Sequence, residues 1–423
     1  LSTRSAVDNE LVGCLALFFV FFLWIRRPPR STQSSSSAAS DVYKRQAHEP
    51  FHLYHRHRLW NPAEGVWMGW ERKRGKLSEF NRLLAGRGET SYVVREGDPD
   101  VLGRIRYVVT VDADTVLPRD SVQRLAGTMA HPLNRAEFAT GSQEVVAGYT
   151  VLQPRVEVLP TSANRSPFSR IFAGDIGLDL YTRAVSDVYQ DLFGEGIFVG
   201  KGIYDVEAFE RAMEGRVPEN ALLSHDLFEG IQGRAGLVTD VALYEDYPPS
   251  YFVYSQRLHR WFRGDWQLLP WLLPRVPGAG GQKRPNPLSL LDRWKIIDNL
   301  RRSLQAPAIL LLLAAGWLFL PGSPLFWTLV ALLTLAVPLV TGLIVGLLRS
   351  RGDGLLEGLR AEAARWLLAV VLLPYEAIIA LDAIATTMVR LLITHKRLLQ
   401  WTCLLYTSPS PRDRTRSRMP SSA

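Results

Sequence analysis

Two aspartates follow the most strand-like run of this sequence. The run extends from Arg106 to Val111 and is rich in β-branched residues, and Asp112 and Asp114 come directly after it. In open α/β sheets, ligands bind at the carboxyl ends of the strands. Two carboxylates there can share a divalent cation that also takes diphosphate oxygens and neutralises charge on a leaving group. Paired aspartates after strands are also ordinary turn residues, so the pair alone is a weak signal.

A second acidic segment stands further along the chain. Asp226 closes the tripeptide Ser224-His225-Asp226, which follows an apolar approach through Leu222 and Leu223. A helix N-cap formed by Ser224 or Asp226 is the alternative interpretation. The segment is a candidate for chemistry only in combination with the other motifs.

A third segment combines an amide, a cation and an indole. Gln256 and Arg260 lie four residues apart, so they share one face of a predicted helix, and Trp261 follows directly. The alternative interpretation is an amphipathic helix at a membrane interface, which Trp266 and Trp271 further along the same stretch also favour. Both interpretations can hold for the same helix.

The elements that must position these groups divide the chain into two parts. From residue 47 to 285, short β-branched runs alternate with charged amphipathic stretches such as Glu207 to Met213. That alternation is typical of an α/β domain. From 286 to 402 the composition becomes strongly apolar, which predicts an interfacial helix followed by transmembrane helices.

Three apolar segments predict the membrane helices, namely Pro307 to Leu320, Leu325 to Leu348 and Trp366 to Ile393. Arginines and lysines flank the first two on both outer sides, which places those flanks, and the α/β domain with them, in the cytoplasm. The third segment contains Pro374 and Glu376 and fits either one kinked span or two half-spans. We favour two half-spans, because the basic residues 395–397 then return to the cytoplasmic side.

Both ends of the chain look foreign to the rest. Residues 1–46 and 403–423 resemble translated sequencing adapters, and we expect the leader to be disordered. Each end carries a net charge of +3, six basic against three acidic residues and four against one, out of the total of +8. The body is therefore nearly neutral, and its pI is no evidence for nucleic-acid binding. Both cysteines, Cys14 and Cys403, lie in these ends, which excludes a disulfide framework or a cysteine metal site in the body.

In this order, and ahead of a membrane block, the three motifs resemble the D-x-D, catalytic aspartate and Q-x-x-R-W set of inverting, processive GT-A glycosyltransferases such as the cellulose and hyaluronan synthases. Within that group, residues 47–402 are most similar to the cyclic β-1,2-glucan synthase family. The segments that carry this similarity are Trp60-Asn61-Pro62, residues 65–76 (GVWMGWERKRGK), residues 200–206 (GKGIYDV), residues 224–230 (SHDLFEG) and residues 256–267 (QRLHRWFRGDWQ).

The resemblance implies roles for the three aspartates. Asp112 and Asp114 would hold Mg²⁺ or Mn²⁺ together with the diphosphate of UDP-glucose. Asp226 would be the general base that takes a proton from the 2-hydroxyl of the acceptor, so that the α-donor is inverted to a β-linkage. We take His225 and His259 as structural residues, or as residues that support the site without binding the metal, rather than as metal ligands.

The resemblance also implies the residues that bind donor and acceptor. Gln256, Arg260 and Trp261 would close over the diphosphate and the acceptor sugar, with the indole as a flat platform for a pyranose ring. Lys76 and Lys201 would neutralise the nucleotide. For both lysines, a solvated surface position is an equally good interpretation.

The implied protein is a UDP-glucose-dependent glucan synthase in the inner membrane of a Gram-negative bacterium. Its GT-A domain, residues 47–285, would lack the first strand of the family, which should precede Trp60. Its partners would be UDP-glucose, the growing glucan and the lipid bilayer, with no nucleic acid. Two alternatives remain open: a membrane β-glycan synthase of another, cellulose-like linkage, and a non-catalytic protein that binds a sugar nucleotide.

Overall fold

The structure is a computed structural model that describes residues 52–173, 188–348 and 355–400, so both predicted foreign ends lie outside the described residues. The strands are β1 (Leu53–Arg56), β2 (Leu59–Asn61), β3 (Val66–Met68), β4 (Tyr92–Glu96), β5 (Tyr107–Thr110), β6 (Glu137–Phe138), β7 (Val145–Ala147), β8 (Val151–Val158), β9 (Gly202–Asp205), β10 (Ala235–Glu245), β11 (Arg275–Pro277) and β12 (Lys283–Pro285). The α-helices are α1 (Arg72–Leu84), α2 (Ser121–Ala130), α3 (Pro160–Ala163), α4 (Pro167–Phe172), α5 (Val188–Phe193), α6 (Val206–Met213), α7 (Asp226–Gln232), α8 (Tyr251–Trp266), α9 (Leu290–Leu318), α10 (Pro324–Leu335), α11 (Val337–Leu348) and α12 (Leu355–Val389).

A four-stranded mixed sheet forms the centre of the α/β part, with the strand order β10-β8-β9-β5. β10 and β8 are parallel, whereas β9 is antiparallel to both of its neighbours. Three strands therefore end at the same edge of the sheet, and β9 begins there. The predicted strand before Asp112 is confirmed as β5, and the amphipathic stretch at 207–213 forms the helix α6.

The sheet is buried because its strands carry apolar residues on both faces. Val109, Ile203 and Leu243 pack in one cluster with Leu125 and Met129 of α2. A second cluster covers the opposite face and includes Phe80 of α1. Among the described strands, β5 pairs only with β9, so β5 lies at an edge, and β4 pairs with β1 in a separate two-stranded sheet. The proposed absence of a first strand stays a prediction.

The carboxyl-terminal part is helical, as predicted. α9 contains the first apolar segment, and α10 and α11 form the second as a pair bent by 59°. By length and composition, one described helix, Gly358–Thr394, could cross a membrane, or two if the bent pair counts as one span. Large apolar side chains on the outer faces of these helices are exposed, which suits a lipid environment.

The third apolar segment is not two half-spans. α12 continues through Pro374, and a π-helical turn carries it on to Thr394. Near its start, Arg365 donates to the carbonyl of Ile171 at 2.6 Å, and just past its end, Arg397 donates its amide hydrogen to the carbonyl of Ala63. These contacts are roughly 45 Å apart along a helix that rises 1.5 Å per residue. Since both ends contact the α/β part, α12 lies along that part.

Two carboxylates of the third segment, Glu376 and Asp382, bond to residues of the α/β part. Glu376 accepts a hydrogen bond from the Tyr251 hydroxyl at 3.1 Å, and Asp382 pairs with His259 at 2.9 Å. Both partners belong to α8, the helix that carries the third motif. The composition of α12 alone could not show this, because an apolar helix that crosses a bilayer and one that lies along a domain contain the same residue types.

The placement of α12 predicts its accessibility in sealed vesicles. In a chain with Cys14 and Cys403 replaced by serine, Arg360→Cys and Lys396→Cys should react with a membrane-impermeant maleimide from the same side, because both ends of α12 contact the α/β part. Gly322→Cys, in the exposed turn between α9 and α10, is the control for the other side. Labelling of positions 360 and 396 from opposite sides would show that α12 crosses the membrane.

Candidate active site

The carboxyl edge of the central sheet brings together charged residues that are far apart in sequence. Asp112 follows β5, Lys201 precedes β9, and Glu245 is the last residue of β10. Because three strands end where β9 begins, the side chains at these positions converge. Two of them, Asp112 and Lys201, belong to the set that the sequence predicts.

Two lysines hold the Asp112 carboxylate. Lys73, in the first turn of α1, places its Nζ 2.8 Å from Oδ1 and also donates to the carbonyl of Gly200. Lys201 lies 3.3 Å from Oδ2 and also forms an ion pair with Glu245. Burial on its own would raise the pKa of Asp112, but the two ammonium groups outweigh it and hold the pKa far below its usual value. Asp112 is therefore anionic across the physiological pH range.

Lys201 is a buried cation rather than a solvated surface residue. Burial disfavours its charged form, yet the carboxylates of Glu245 and Asp112 more than compensate and raise the pKa of Lys201 above its ordinary value. Its ammonium is the counter-charge of Glu245, which is itself completely buried.

Three carboxylates at this edge fit a divalent cation. One oxygen from each of Asp112, Asp114 and Glu245 can be chosen so that all three lie within 4.8 Å of one another. Glu245 has a buried oxygen, Oε2, without a hydrogen-bond partner, and the Thr115 hydroxyl contacts its other oxygen at 3.3 Å. Hard oxygen donors of this kind suit Mg²⁺ or Mn²⁺. The sequence does not single out Glu245, because it is one residue of a long alternating strand.

Asp226 reaches the same edge through a close contact. A Cβ atom built on Gly200 would lie 2.6 Å from its Oδ1, so only glycine fits there, and Gly200 has a positive φ of 85°. Gly200 directly precedes Lys201 and its carbonyl accepts from Lys73. The structure thus places Asp226 beside the residues that hold Asp112. One oxygen of Asp226 is buried without a hydrogen-bond partner.

The His225 side chain contacts two carboxylates, one of which is that of Asp226. Its Nδ1 lies 2.9 Å from Glu229 and 3.5 Å from Asp226. Burial alone would lower the pKa of His225, but the two carboxylates overcome that effect and raise it. The three side chains are also close enough to hold a cation, and the interpretation that His225 is not a metal ligand stays a prediction.

The third motif lies on α8, with one change of register. Gln256 stands four residues before Arg260, whereas the Q-x-x-R-W motif requires three, and Arg257 occupies that position. The Arg257 guanidinium lies 5.5 Å from the ring centre of Trp261, and its charge acts to lower the pKa of Lys201. Arg257, which the sequence analysis does not single out, therefore stands three residues before Arg260, at the position where the motif has its glutamine. Gln256 has a buried Oε1 with no hydrogen-bond partner.

α8 also fixes the segment that carries Asp226. Gly264 packs against Ser224 so closely that an added Cβ atom would lie 2.4 Å from the Ser224 Cβ. One turn later, Gln267 accepts from the amide of Leu223 at 2.6 Å and donates to the carbonyl of Leu398. The helix of the third motif thus connects the Asp226 segment to the chain that follows α12.

Lys76 lies on α1 with Lys73, in a cationic environment that includes Arg56. Burial, and then the charges of Arg56 and Lys73, lower the pKa of Lys76 to about 8. A cation in this condition gains from a nearby anion, which agrees with the predicted contact to a nucleotide but does not establish it.

The fold and the site define an α/β protein with a cluster of carboxylates and lysines that could hold a divalent cation, joined to an apolar helical part. No protein-family model matches the chain. Over 361 residues the chain is 46% identical to the protein described as cyclic beta-(1,2)-glucan synthase NdvB from Rhizobium meliloti (strain 1021). The chain belongs to the cyclic β-1,2-glucan synthase family, as the motifs indicated. The match covers 83% of the chain, which spans only 12% of the length of that relative.

Loss of the Lys201 charge should destabilise the α/β part. Lys201→Met leaves Glu245 buried without its counter-charge, and we expect the free energy of unfolding to fall by about 3–5 kcal/mol. The double variant Lys201→Met/Glu245→Leu should recover much of that loss. Denaturant unfolding of the detergent-solubilised chain measures the change, with Lys283→Met at an exposed position as the control. A Lys201→Met chain as stable as this control would contradict the buried ion pair.

Proposed function

We propose that this chain is the catalytic part of a glycosyltransferase that moves glucose from UDP-glucose onto a growing β-1,2-glucan. The observation that carries the proposal is the contact of the Asp226 carboxylate with Gly200, next to the lysines that hold Asp112. This contact places a candidate general base next to a candidate cation site. The family membership supports the nature of the product, since the relative is described as a cyclic β-(1,2)-glucan synthase.

The donor would bind at the carboxyl edge of the sheet. Asp112, Asp114 and Glu245 would hold Mg²⁺ or Mn²⁺, which supplies charge neutralisation for the UDP diphosphate when bound. Lys73 shares Asp112 with the cation site and has a second partner in the carbonyl of Gly200. Its ammonium can therefore shift toward a phosphate oxygen without leaving the site.

Asp226 would act on the acceptor. Its carboxylate, which is partly exposed, can accept the proton of a sugar hydroxyl as the hydroxyl oxygen attacks the anomeric carbon from the face opposite to UDP. Attack from that face inverts the α-donor to a β-linkage. Gly200 and Gly264 keep the carboxylate in place, because each lies in close contact with the Asp226 segment.

α8 would cover the reactants. Arg260 and Arg257 supply positive charge toward the diphosphate, and Trp261 offers a flat face to a pyranose ring. Gln256 would bind the diphosphate or the acceptor sugar through its amide group. Lys76 adds positive charge from α1. Lys201 would act indirectly, by holding Asp112 and Glu245 in position.

The apolar helices and the family support a location in a membrane. We place the protein in the bacterial inner membrane, with the bent pair and α9 crossing the bilayer and the α/β part in the cytoplasm, where UDP-glucose is available.

The α/β part would be a GT-A domain. β5 pairs on one side only among the described strands, which leaves an edge for the first strand that this fold requires.

Binding of the donor with its cation tests the proposal directly. UDP-glucose should bind the chain more tightly with Mn²⁺ than without it, and Asp112→Asn should weaken Mn²⁺-dependent binding by at least about tenfold. Asp240→Asn, at an exposed position on β10, is the matched control and should bind like the unmodified chain. Isothermal titration calorimetry measures both. Metal-independent binding, or equal binding by the two variants, would refute the assignment of the cation site.

Turnover should depend on the close contact at Gly200. Gly200→Ala pushes into the Asp226 carboxylate, and a displacement near 1 Å costs about 10²-fold in rate. The control is Gly215→Ala, where the glycine also has a positive φ, 66° against 85° at Gly200, but open space around it. UDP release would be measured in membranes that carry the chain joined to the flanking segments of the Rhizobium relative. Equal loss in both variants would mean that backbone strain, not contact with Asp226, is responsible.

Nucleotide affinity should fall as pH rises through about 8, because Lys76 is cationic below its lowered pKa and neutral above it. An ordinary exposed lysine keeps its charge to much higher pH. Lys76→Gln should flatten this pH dependence, whereas Lys283→Gln should leave it unchanged. A UDP titration across this range decides the point, and an identical slope in Lys76→Gln would exclude contact between Lys76 and the nucleotide.

A further inference from the structure

The β2–β3 hairpin presents a pair of exposed tryptophans. Trp60 and Trp67 face each other across the hairpin, with ring centres 5.9 Å apart in an edge-to-face arrangement. Trp60 is 51% exposed and Trp67 is 62% exposed. Tryptophan buries more apolar surface than most residues when it finds a partner, so two half-exposed indoles in contact indicate a surface that meets something apolar.

The other face of the hairpin is apolar as well. Successive residues of a strand point to opposite faces, so Leu59 and Val66 lie on the face away from the two indoles. Both are exposed. A platform for a sugar ring needs only one aromatic face, whereas a hairpin with apolar side chains on both faces suits insertion into an apolar medium.

The hairpin turn is bonded to the chain that leaves α12. The carbonyl of Ala63 accepts from the amide of Arg397 at 3.0 Å, and the buried carboxylate of Glu64 accepts from the amide of Leu399 at 2.8 Å. α12 and the π-helical turn after it carry exposed apolar residues along their length, separated by one helical turn or by two, namely Leu367, Val371, Ile378, Leu381, Val389 and Leu392. The hairpin therefore continues an apolar surface.

Cations surround the junction between the hairpin and α12. Arg58, Lys396 and Arg397 are all exposed, directly before β2 and directly after the π-helical turn. Exposed indoles with neighbouring basic side chains match the boundary between acyl chains and anionic headgroups, where tryptophan concentrates and each nearby lysine or arginine adds attraction.

We propose that the β2–β3 hairpin is a membrane anchor that inserts Trp60 and Trp67 into the headgroup boundary of an anionic bilayer. The hairpin would extend the lipid contact of α12 to the α/β part. This inference rests on membrane association of the chain and not on the proposed reaction, so an inactive chain would test it equally well.

Depth measurement tests the anchor. In the full chain with Cys14 and Cys403 replaced by serine, an environment-sensitive NBD label is attached at Trp67→Cys, or at Trp60→Cys if the first variant does not fold. The chain is placed in vesicles of phosphatidylglycerol and phosphatidylcholine containing spin-labelled lipids. We expect blue-shifted emission and several-fold stronger quenching than for the same label at Leu133→Cys, a position that is 82% exposed.

Two other outcomes of this measurement would contradict the proposed membrane anchor. Water-like emission at position 67, equal to that at position 133, would mean that the hairpin stays in solvent. Blue-shifted emission without quenching by the lipids would mean that protein covers it.

The basic residues give an independent arm of the experiment. Lys396→Gln together with Arg397→Gln should lower the quenching at position 67 in phosphatidylglycerol vesicles and leave it unchanged in pure phosphatidylcholine. If the quenching is equal in the two lipids, with and without these substitutions, then anionic headgroups do not attract the basic residues beside the hairpin.

Discussion

The ion pairs of Lys201 are the interaction on which the site depends. The topology of the sheet brings Asp112 and Glu245 to the same edge. Their like charges repel each other unless a cation lies between them. Lys201 meets this need from the start of the antiparallel strand β9, and it is buried with Glu245. A sheet with all strands parallel would not bring the start of a strand to this edge. The single reversed strand is what places the lysine there.

The position of Asp226 follows from the same strand. Gly200, one residue before Lys201, leaves room for the Asp226 carboxylate, and Gly264 on α8 fixes the segment from its other side. α8 in turn bonds to α12 through the pairs at Glu376 and Asp382. The chemistry, the covering helix and the apolar helix thus form one connected arrangement, and a change at the apolar helix can reach the site through α8.

The sequence predicts the strand before Asp112, the α/β part and the apolar region, because periodicity and composition record them directly. It does not predict Lys73 or Glu245, since their meaning depends on which strands are neighbours. α12 was misjudged for a related reason: its hydropathy is that of a spanning helix, and only its hydrogen bonds at both ends show how it lies. Arg257, in contrast, could have been found from the sequence alone. Counting back three residues from Arg260 gives Arg257 as the residue at the glutamine position of the motif.

The most direct test of the account is the effect of Asp226→Asn on binding and turnover. In membranes carrying the chain joined to the flanking segments of the Rhizobium relative, the variant should bind UDP-glucose with Mn²⁺ as the unmodified protein does. Its UDP release and its β-1,2-linked product should fall by about 10²–10⁴-fold, the usual contribution of a general base. Equal turnover in both proteins would contradict the role of Asp226, and a product of another linkage would contradict the proposed function.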